Sequence, residues 1–180
     1  ESTTRMLAFV KEFLANASSE RLAELQVREV DLGDAVTLAL RQYQLPAERK
    51  RLHLQWVTPH PAVTALAEPS ALNQALENLL SNAVKFSPPD RTVTLTVTAD
   101  ADTAIFTIAD EGPGFTEADQ EKLFHRYARL SARPTAGEPC SGLGLSIVKK
   151  LVGAMHGELA MKAAPGGGAA FTIRLPRSAA

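Results

Sequence analysis

The sequence predicts an α+β domain, a two-layer α/β sandwich in which helices cover one face of a mixed sheet, preceded by an N-terminal helix. Three observations carry this expectation. Segments of strand period and segments of helix period alternate from residue 27 onward and do not separate into blocks. The chain has 180 residues, 45% of them hydrophobic, which suits one domain with an appended element and a sizeable core. Cys140 is the single cysteine, so no internal disulfide is available and stability must come from packing, as expected of a reducing compartment.

Taken in order, residues 3 to 26 predict a helix, because Met6, Val10, Phe13, Leu14 and Ala17 recur at three- and four-residue spacing with no proline or glycine between them. A short strand over 27–31 then leads into a helix with Asp34 near its start, expected to end before Pro46. Strands are expected near 52–57 and 63–67. A second helix begins after Pro69 and runs to about Phe86, where Ser87, Pro88 and Pro89 stop it. Residues 92–100 and 103–110 alternate over two strand lengths and read as a hairpin. A glycine-rich turn, a short acidic helix over 116–123, a loop over 128–141, a helix over 142–155 and a closing hairpin across "PGGG" (165–168) complete the chain.

The charge balance is nearly even, with 19 Lys and Arg against 20 Asp and Glu and a formal net charge of -1. Such a chain has no long-range field for a polyanion, and the basic run Arg49–Lys50–Arg51 is short enough to be a solvated helix end, so nucleic acid is not an expected partner. No apolar run approaches the roughly 20 residues that span a bilayer. No signal peptide is visible, and the start at Glu1 reads as a segment of a longer protein.

Chemistry concentrates in three places. On the helix over 70–86, Gln74, Asn78, Lys85 and Asn82 fall at roughly 0°, 40°, 20° and 80° on the wheel, opposite Leu72, Leu76, Leu79, Leu80 and Ala83 at roughly 140° to 240°. Two amide oxygens and an ammonium at that spacing suit a hydrated Mg²⁺ carrying phosphate, but taken alone they read first as an ordinary solvated face. In "TAIFTIAD", Phe106, Ile108 and Asp110 share one face by period 2, so Asp110 ends an apolar row at a pocket edge. "DEGPGF" follows, with Gly112 and Gly114 freeing the backbone for close approach of a ligand. A carboxylate there can accept from an exocyclic amine of the kind adenine has and guanine lacks, or simply cap a turn.

The third place is "SGLGLSIVKKLVGAMHG" (141–157), where Gly142 and Gly144 open a helix whose first N–H groups form a natural phosphate site. It is neither a dinucleotide fingerprint, since Ile147 occupies the last glycine position, nor a P-loop, since no glycine precedes a Lys-Ser or Lys-Thr pair. The preceding stretch carries Arg126, Arg129 and Arg133 among Pro134, Gly137 and Pro139, and reads either as a lid with cations for phosphate or as a surface loop.

Together these segments resemble the catalytic and ATP-binding domain of bacterial sensor histidine kinases, within the wider group of DNA gyrase, the Hsp90 chaperone and the MutL repair ATPases. "NQALENLLSNAVKFSP" (73–88) is similar to the N box, "DEGPGF" to the first glycine box, "EKLFHRYAR" to the phenylalanine box, "SGLGLSIVKKLVGAMHGEL" to the second glycine box and "PGGGAAFTIRLP" to the closing strand pair. The resemblance spans roughly residues 27 to 176 and implies the Bergerat-type ATP-binding fold. It implies ATP and Mg²⁺ as cofactors, with Asn82 as the Mg²⁺ ligand, Asn78 and Lys85 near the phosphates and Phe86 beside the nucleotide. Asp110 is assigned to the adenine amine, Gly112 and Gly114 to the adenine pocket, and Gly142, Leu143, Gly144 and Leu145 to the phosphate-facing helix start. Lys85 and Arg129 are the expected catalytic charges on the phosphates.

The same resemblance implies that residues 1–26 are the C-terminal helix of an incomplete dimerisation and phosphoacceptor hairpin and that 27–180 are the catalytic domain. Its implied partners are the missing helix, a second protomer in a homodimer and a response regulator, with cytoplasmic location and no direct membrane contact from this segment. Two positions depart from the pattern. Cys140 replaces a glycine that usually opens the second glycine box, which implies a stiffer hinge and a candidate reactive thiol. Ala169 replaces a Ser or Thr and removes a hydroxyl.

In hydrolysing relatives a glutamate stands at the position of Asn78 and activates water; an amide cannot accept that proton, which favours transfer to another acceptor. Glu77 lies about 100° from Asn78 on the wheel and is a poor substitute. His53, His60, His125 and His156 are not followed by an acidic residue, so the phosphoacceptor is expected outside this segment. The alternative is a degenerate nucleotide-binding sensor or scaffold module without transfer activity.

Overall fold

The computed structural model describes residues 25–177 apart from positions 60, 129, 139, 141 and 166. The helix expected over 3–26 lies outside these residues except for Leu25 and Gln26, which are in no helix; Leu25 packs against the core. The elements are β1 (Arg28–Asp31), α1 (Leu32–Arg49), β2 (His53–Trp56), β3 (Thr64–Ala67), α2 (Pro69–Phe86), β4 (Thr92–Ala99), β5 (Thr103–Asp110), α3 (Glu117–Gln120), α4 (Gly144–Ala154), β6 (Glu158–Ala163) and β7 (Ala169–Pro176). A five-stranded sheet runs β2-β4-β5-β7-β6, with β2 parallel to β4 and the other neighbours antiparallel. β1 and β3 do not join it; they form their own antiparallel pair, Arg28 opposite Ala67.

Period-2 patterning decides which face of the sheet is covered. Val93, Leu95, Val97, Ala104, Phe106, Ile108, Phe171 and Ile173 point into one cluster with Leu72, Leu76, Leu79 and Leu80 of α2 and Val148, Leu151 and Val152 of α4. Each of the fully buried leucines contributes about 1.5–3 kcal/mol by leaving water. The opposite face is set with threonine, and Thr107 and Thr172 share a 3.1 Å hydroxyl hydrogen bond across β5 and β7. β-Branched polar side chains suit such a pleated, half-wet surface.

Helix ends follow local chemistry, with one departure from expectation. Asp31 caps α1 by accepting from the N–H of Asp34, and Glu68 caps α2 by accepting from those of Ser70 and Ala71. α1 does not end before Pro46 but runs through it to Arg49. Proline there lies in the last turn, so only one helical hydrogen bond is lost. Ala47, 1% exposed, gains a packing site against Leu52 and Val84 that the shorter helix would forgo. Beyond α1 the chain turns at Arg51, whose guanidinium holds the carboxylate of Asp90 at 2.8 and 2.9 Å. Both residues have positive φ, and the pair is exposed, so it fixes the turn's geometry more than it stabilises the fold.

The closing hairpin holds the tightest backbone approach. Gly168 has φ +84, and a Cβ built there would lie 2.0 Å from the carbonyl oxygen of Asp110, whereas one at Gly167, φ +95, would meet nothing within 4 Å. Gly168→Ala should therefore cost about 3 kcal/mol or more, through both strain and overlap with main chain, and Gly167→Ala about 1 kcal/mol through strain alone. Urea denaturation of the two variants checks this, and equal losses would contradict it.

Candidate functional site

The polar stripe of α2 is not a solvated face. Gln74, Asn78, Asn82, Lys85 and Phe86 are all half-buried, because α1 and α4 flank the helix. The amide nitrogen of Asn78 donates to the Gln74 carbonyl at 2.8 Å, which leaves its Oδ1 facing the start of α4. There a Cβ on Gly144 would lie 3.3 Å from Asn78 Oδ1 and 3.8 Å from both amide atoms of Asn82. Two segments separated by more than 60 residues thus meet at one point, as their motifs imply. Glu77 turns the other way, accepting from Gln42 of α1 at 2.9 Å. On the same side burial pushes the Tyr43 pKa up, while a hydrogen bond from the Ser81 hydroxyl draws it back and the charge of Glu77 adds to the rise.

Asp110, 8% exposed, closes the apolar row of β5 as its spacing predicts. Its Oδ1 accepts from the N–H of Gly112 at 2.8 Å and from that of Ala169 at 3.3 Å. Desolvation pushes its pKa above the usual range, with the two N–H groups pulling it back. Gly112 lies close against both Asp110 and the Phe86 carbonyl, at 2.8 and 3.0 Å from its Cβ position, so α2's last turn and this turn share one corner. Gly114, φ +70, backs onto Gly168. The Ala169 substitution leaves the corner intact, since the main-chain N–H supplies the contact. Next to it a cleft of about 580 Å³ opens between Pro88, Gly112 and Pro113 on one side and Ser131, Arg133 and Thr135 on the other, a size typical of small-molecule sites.

α4 begins at Gly144 with Leu143 in the cap position, and no side chain caps it. Among the described residues no side-chain cap therefore takes up the first main-chain N–H groups of the helix. Leu143 and Leu145 are 6% and 8% exposed, so they could serve a ligand only through main chain. Gly142, φ +72, sits against Tyr127 and Ala128, whose segment is joined to it by the Tyr127 N–H on the Gly142 carbonyl at 3.1 Å. Lys149 lies over the Phe124 ring at 5.0 Å and ties α4 to the same segment. Arg129 lies outside the described residues.

The loop from Leu130 to Glu138 is tied down at both ends by residues that the sequence did not single out. Asp119 accepts from the Ser131 N–H at 2.8 Å and from the Ser131 hydroxyl, while forming a capping box with Thr116. Thr135 donates its N–H to the Lys85 carbonyl at 3.0 Å and its hydroxyl to the Ser87 carbonyl at 3.0 Å. An S/T-x-x-D cap is visible in sequence; its second role as a loop anchor is not. The thiol of Cys140 is exposed but not activated: partial desolvation pushes its pKa up, Lys85 draws it down, and Glu138 adds to the rise. The expected reactive thiol is thus unfavoured in this setting.

Hydrogen bonds from the Ser131 hydroxyl, the Ser131 N–H and then Thr116 hold Asp119 well below the usual carboxylate range. An acid whose folded pKa is depressed stabilises the fold fully above its unfolded value and progressively less below it. Asp119→Asn should accordingly be less stable than the parent at neutral pH, with the gap narrowing only as pH falls below the ordinary 3.8. Denaturation curves at several pH values check this, and a gap that narrows already between pH 7 and about 5 would contradict the assignment.

The family described as histidine kinase-, DNA gyrase B-, and HSP90-like ATPase matches residues 67–179. The circadian input-output histidine kinase CikA of Synechococcus elongatus is 36% identical over 156 residues, 86% of this chain and 21% of that protein. The sensor histidine kinase YcbM of Bacillus subtilis is 30% identical over 179 residues, 98% of this chain and 57% of that protein. The chain therefore spans only part of these curated relatives. Among solved structures, full-length ShkA in complex with AMPPNP aligns with a TM-score of 0.80 at 30% identity over 100% of this chain and 38% of that one. The mycobacterial sensor histidine kinase MprB aligns with a TM-score of 0.69 at 29% identity, over 83% of this chain and 97% of that one. With more than half of its length matched by that family and with the motifs meeting at one corner of the fold, the chain belongs to the histidine kinase-, DNA gyrase B- and HSP90-like ATPase family.

Proposed function

We propose that this chain is the catalytic ATP-binding unit of a two-component sensor histidine kinase, which binds Mg²⁺-ATP and presents the γ-phosphate to a histidine on a separate helix. The observation that carries the choice of transfer over hydrolysis is the residue facing Gly144: an amide, Asn78, with the neighbouring carboxylate of Glu77 engaged by Gln42 on the far side. Neither of these two residues thereby aims a carboxylate at the helix start to take a proton from water. The names of the relatives support the same reading.

In this reading Asp110 accepts from the adenine amine and discriminates against guanine, whose carbonyl would face the carboxylate. Phe86 lies beside the base, while Lys85, Arg129 and the N–H groups of Gly144 and Leu145 face the phosphates, with Asn78 near them. Gly112 and Gly114 keep the adenine side open, and Gly142 lets the chain enter α4. Asn82 fits a Mg²⁺ ligand. Its amide makes no hydrogen bond among the described residues, and no cluster of three His, Cys, Asp or Glu there could cage a metal, which suits an ion held mostly by phosphates and water. When bound, the ion supplies charge neutralisation on the phosphates.

Residues 27–180 form the catalytic unit in this proposal, and residues 1–26 the C-terminal helix of a dimerisation hairpin that pairs with a second protomer. The phosphoryl group passes on to a response regulator. ATP supply puts the unit in the cytoplasm, and no helix among the described residues is long and apolar enough to cross a membrane.

The test is nucleotide titration. The chain should bind ATP in preference to GTP, and Asp110→Asn should weaken ATP binding at least about tenfold by removing a charged acceptor. Unchanged titration curves would exclude the pocket. Because burial raises the pKa of Asp110, ATP affinity should fall on acidification at a higher pH than an ordinary aspartate dictates, and the Asn variant should lack this transition. Incubated alone with labelled ATP, the chain should form no acid-labile phosphohistidine; mixed with a domain carrying an acceptor helix, it should transfer label, and failure with every acceptor would leave a sensor role instead.

A further inference from the structure

Lys50 sits in the basic run Arg49–Lys50–Arg51, yet its side chain is 10% exposed and its ammonium is fully engaged. Nζ donates to the Val84 carbonyl at 2.6 Å, to the Lys85 carbonyl at 2.7 Å and to Glu138 Oε1 at 3.2 Å. The reason lies in the sequence that ends α2. The carbonyls of Val84 and Lys85 would next look for the N–H groups of residues 88 and 89, and both are proline. They need donors from elsewhere, and a cation at a helix C-terminus also complements the helix dipole. Lys50 and Thr135 are those donors, one from the C-cap of α1 and one from the loop.

Glu138 extends the arrangement. Its carboxylate accepts from Lys50 and, through Oε2, from the Ala136 N–H at 3.0 Å. Burial works to raise its pKa, but hydrogen bonds from its own main chain and from Ala136, together with Lys50, hold it below the usual range. The charge that anchors the loop is therefore present across the neutral range.

We propose that Lys50 is a positioning residue that locks the loop 131–138 and the last turn of α2 into one unit, with Glu138 as the loop's half of the latch. Lys85 and Phe86 stand on that turn, so loop position and the placement of both side chains against the nucleotide are mechanically coupled. This consequence rests on their assignment as nucleotide contacts; the latch itself does not.

The test combines amide hydrogen exchange with ATP titration on this chain and its Glu138→Gln, Lys50→Met and Lys50→Arg variants. Glu138→Gln should speed exchange about tenfold over residues 131–137 and leave 82–87 unchanged, because only the loop's charge is lost. Lys50→Met should speed exchange in both stretches and lower ATP affinity about tenfold, and Lys50→Arg should recover most of it. Unchanged exchange over 131–137 in Glu138→Gln overturns the latch. Wild-type ATP affinity in Lys50→Met, or an equal loss in Lys50→Arg, overturns the positioning role. Should Lys50→Met not fold, the neutral Lys50→Gln carries the ATP arm, with reduced affinity expected and unchanged affinity overturning it. A parent chain that binds no ATP refutes the proposed function, while the exchange arm still decides the latch.

Discussion

One buried carboxylate organises the site. Asp110 ends β5 almost entirely out of water, a position that is costly for a charge unless donors meet it. Its two donors come from opposite directions, the Gly112 N–H just downstream and the Ala169 N–H at the start of β7. To supply the second, the closing hairpin must bring Gly168 against the Asp110 carbonyl, which excludes any Cβ. To supply the first, Gly112 must fit beneath the Phe86 carbonyl. The end of α2, the turn after β5 and the β6–β7 hairpin are thereby fixed relative to one another by a single oxygen atom, Asp110 Oδ1.

Much of this was legible from the sequence. The wheel of α2 separates Asn78, Asn82 and Lys85 from the leucine row because a helix buried on one side must do so, and the period of β5 puts Asp110 in line with Phe106 and Ile108 for the same reason. Those are local regularities, written every two or three to four residues. What stayed hidden depends on contacts between distant segments. Pro46 looked like a stop because a single-residue rule cannot see Leu52 and Val84 waiting for Ala47. The separation of β1 and β3 from the main sheet is a question of pairing, which strand propensity does not decide. Lys50 looked like a solvated end because its acceptors lie more than 30 residues away. Pro88 and Pro89 mark the end of the helix in the sequence, and the same two residues also announce carbonyls in need of a donor.

α2 is the element through which these constraints communicate. Its apolar row packs on the sheet, its outer side is held to α1 by Gln42 on Glu77, its polar side meets the start of α4 at Gly144, and its end is gripped by Lys50 and Thr135. No single one of these polar contacts exceeds a few kcal/mol, and the exposed ones are worth much less. Their joint effect is geometric, since a helix clamped along its length can rotate or slide only by breaking several contacts together.

That rigidity bears on the chemistry. A site that hydrolyses ATP needs a base aimed at water, and the natural place for one on this helix is the position facing Gly144, which holds Asn78. Moving Glu77 into that place would require turning α2 by about 100°. Such a turn would expose the leucine row, break the Gln42 contact and pull the last turn away from Lys50. The base is absent because an amide, Asn78, stands at that position, and the packing of α2 keeps Glu77 from taking its place. A helix fixed in this way keeps the Glu77 carboxylate on the α1 side and the Asn78 amide toward the start of α4, which is the arrangement the proposed phosphoryl donor needs.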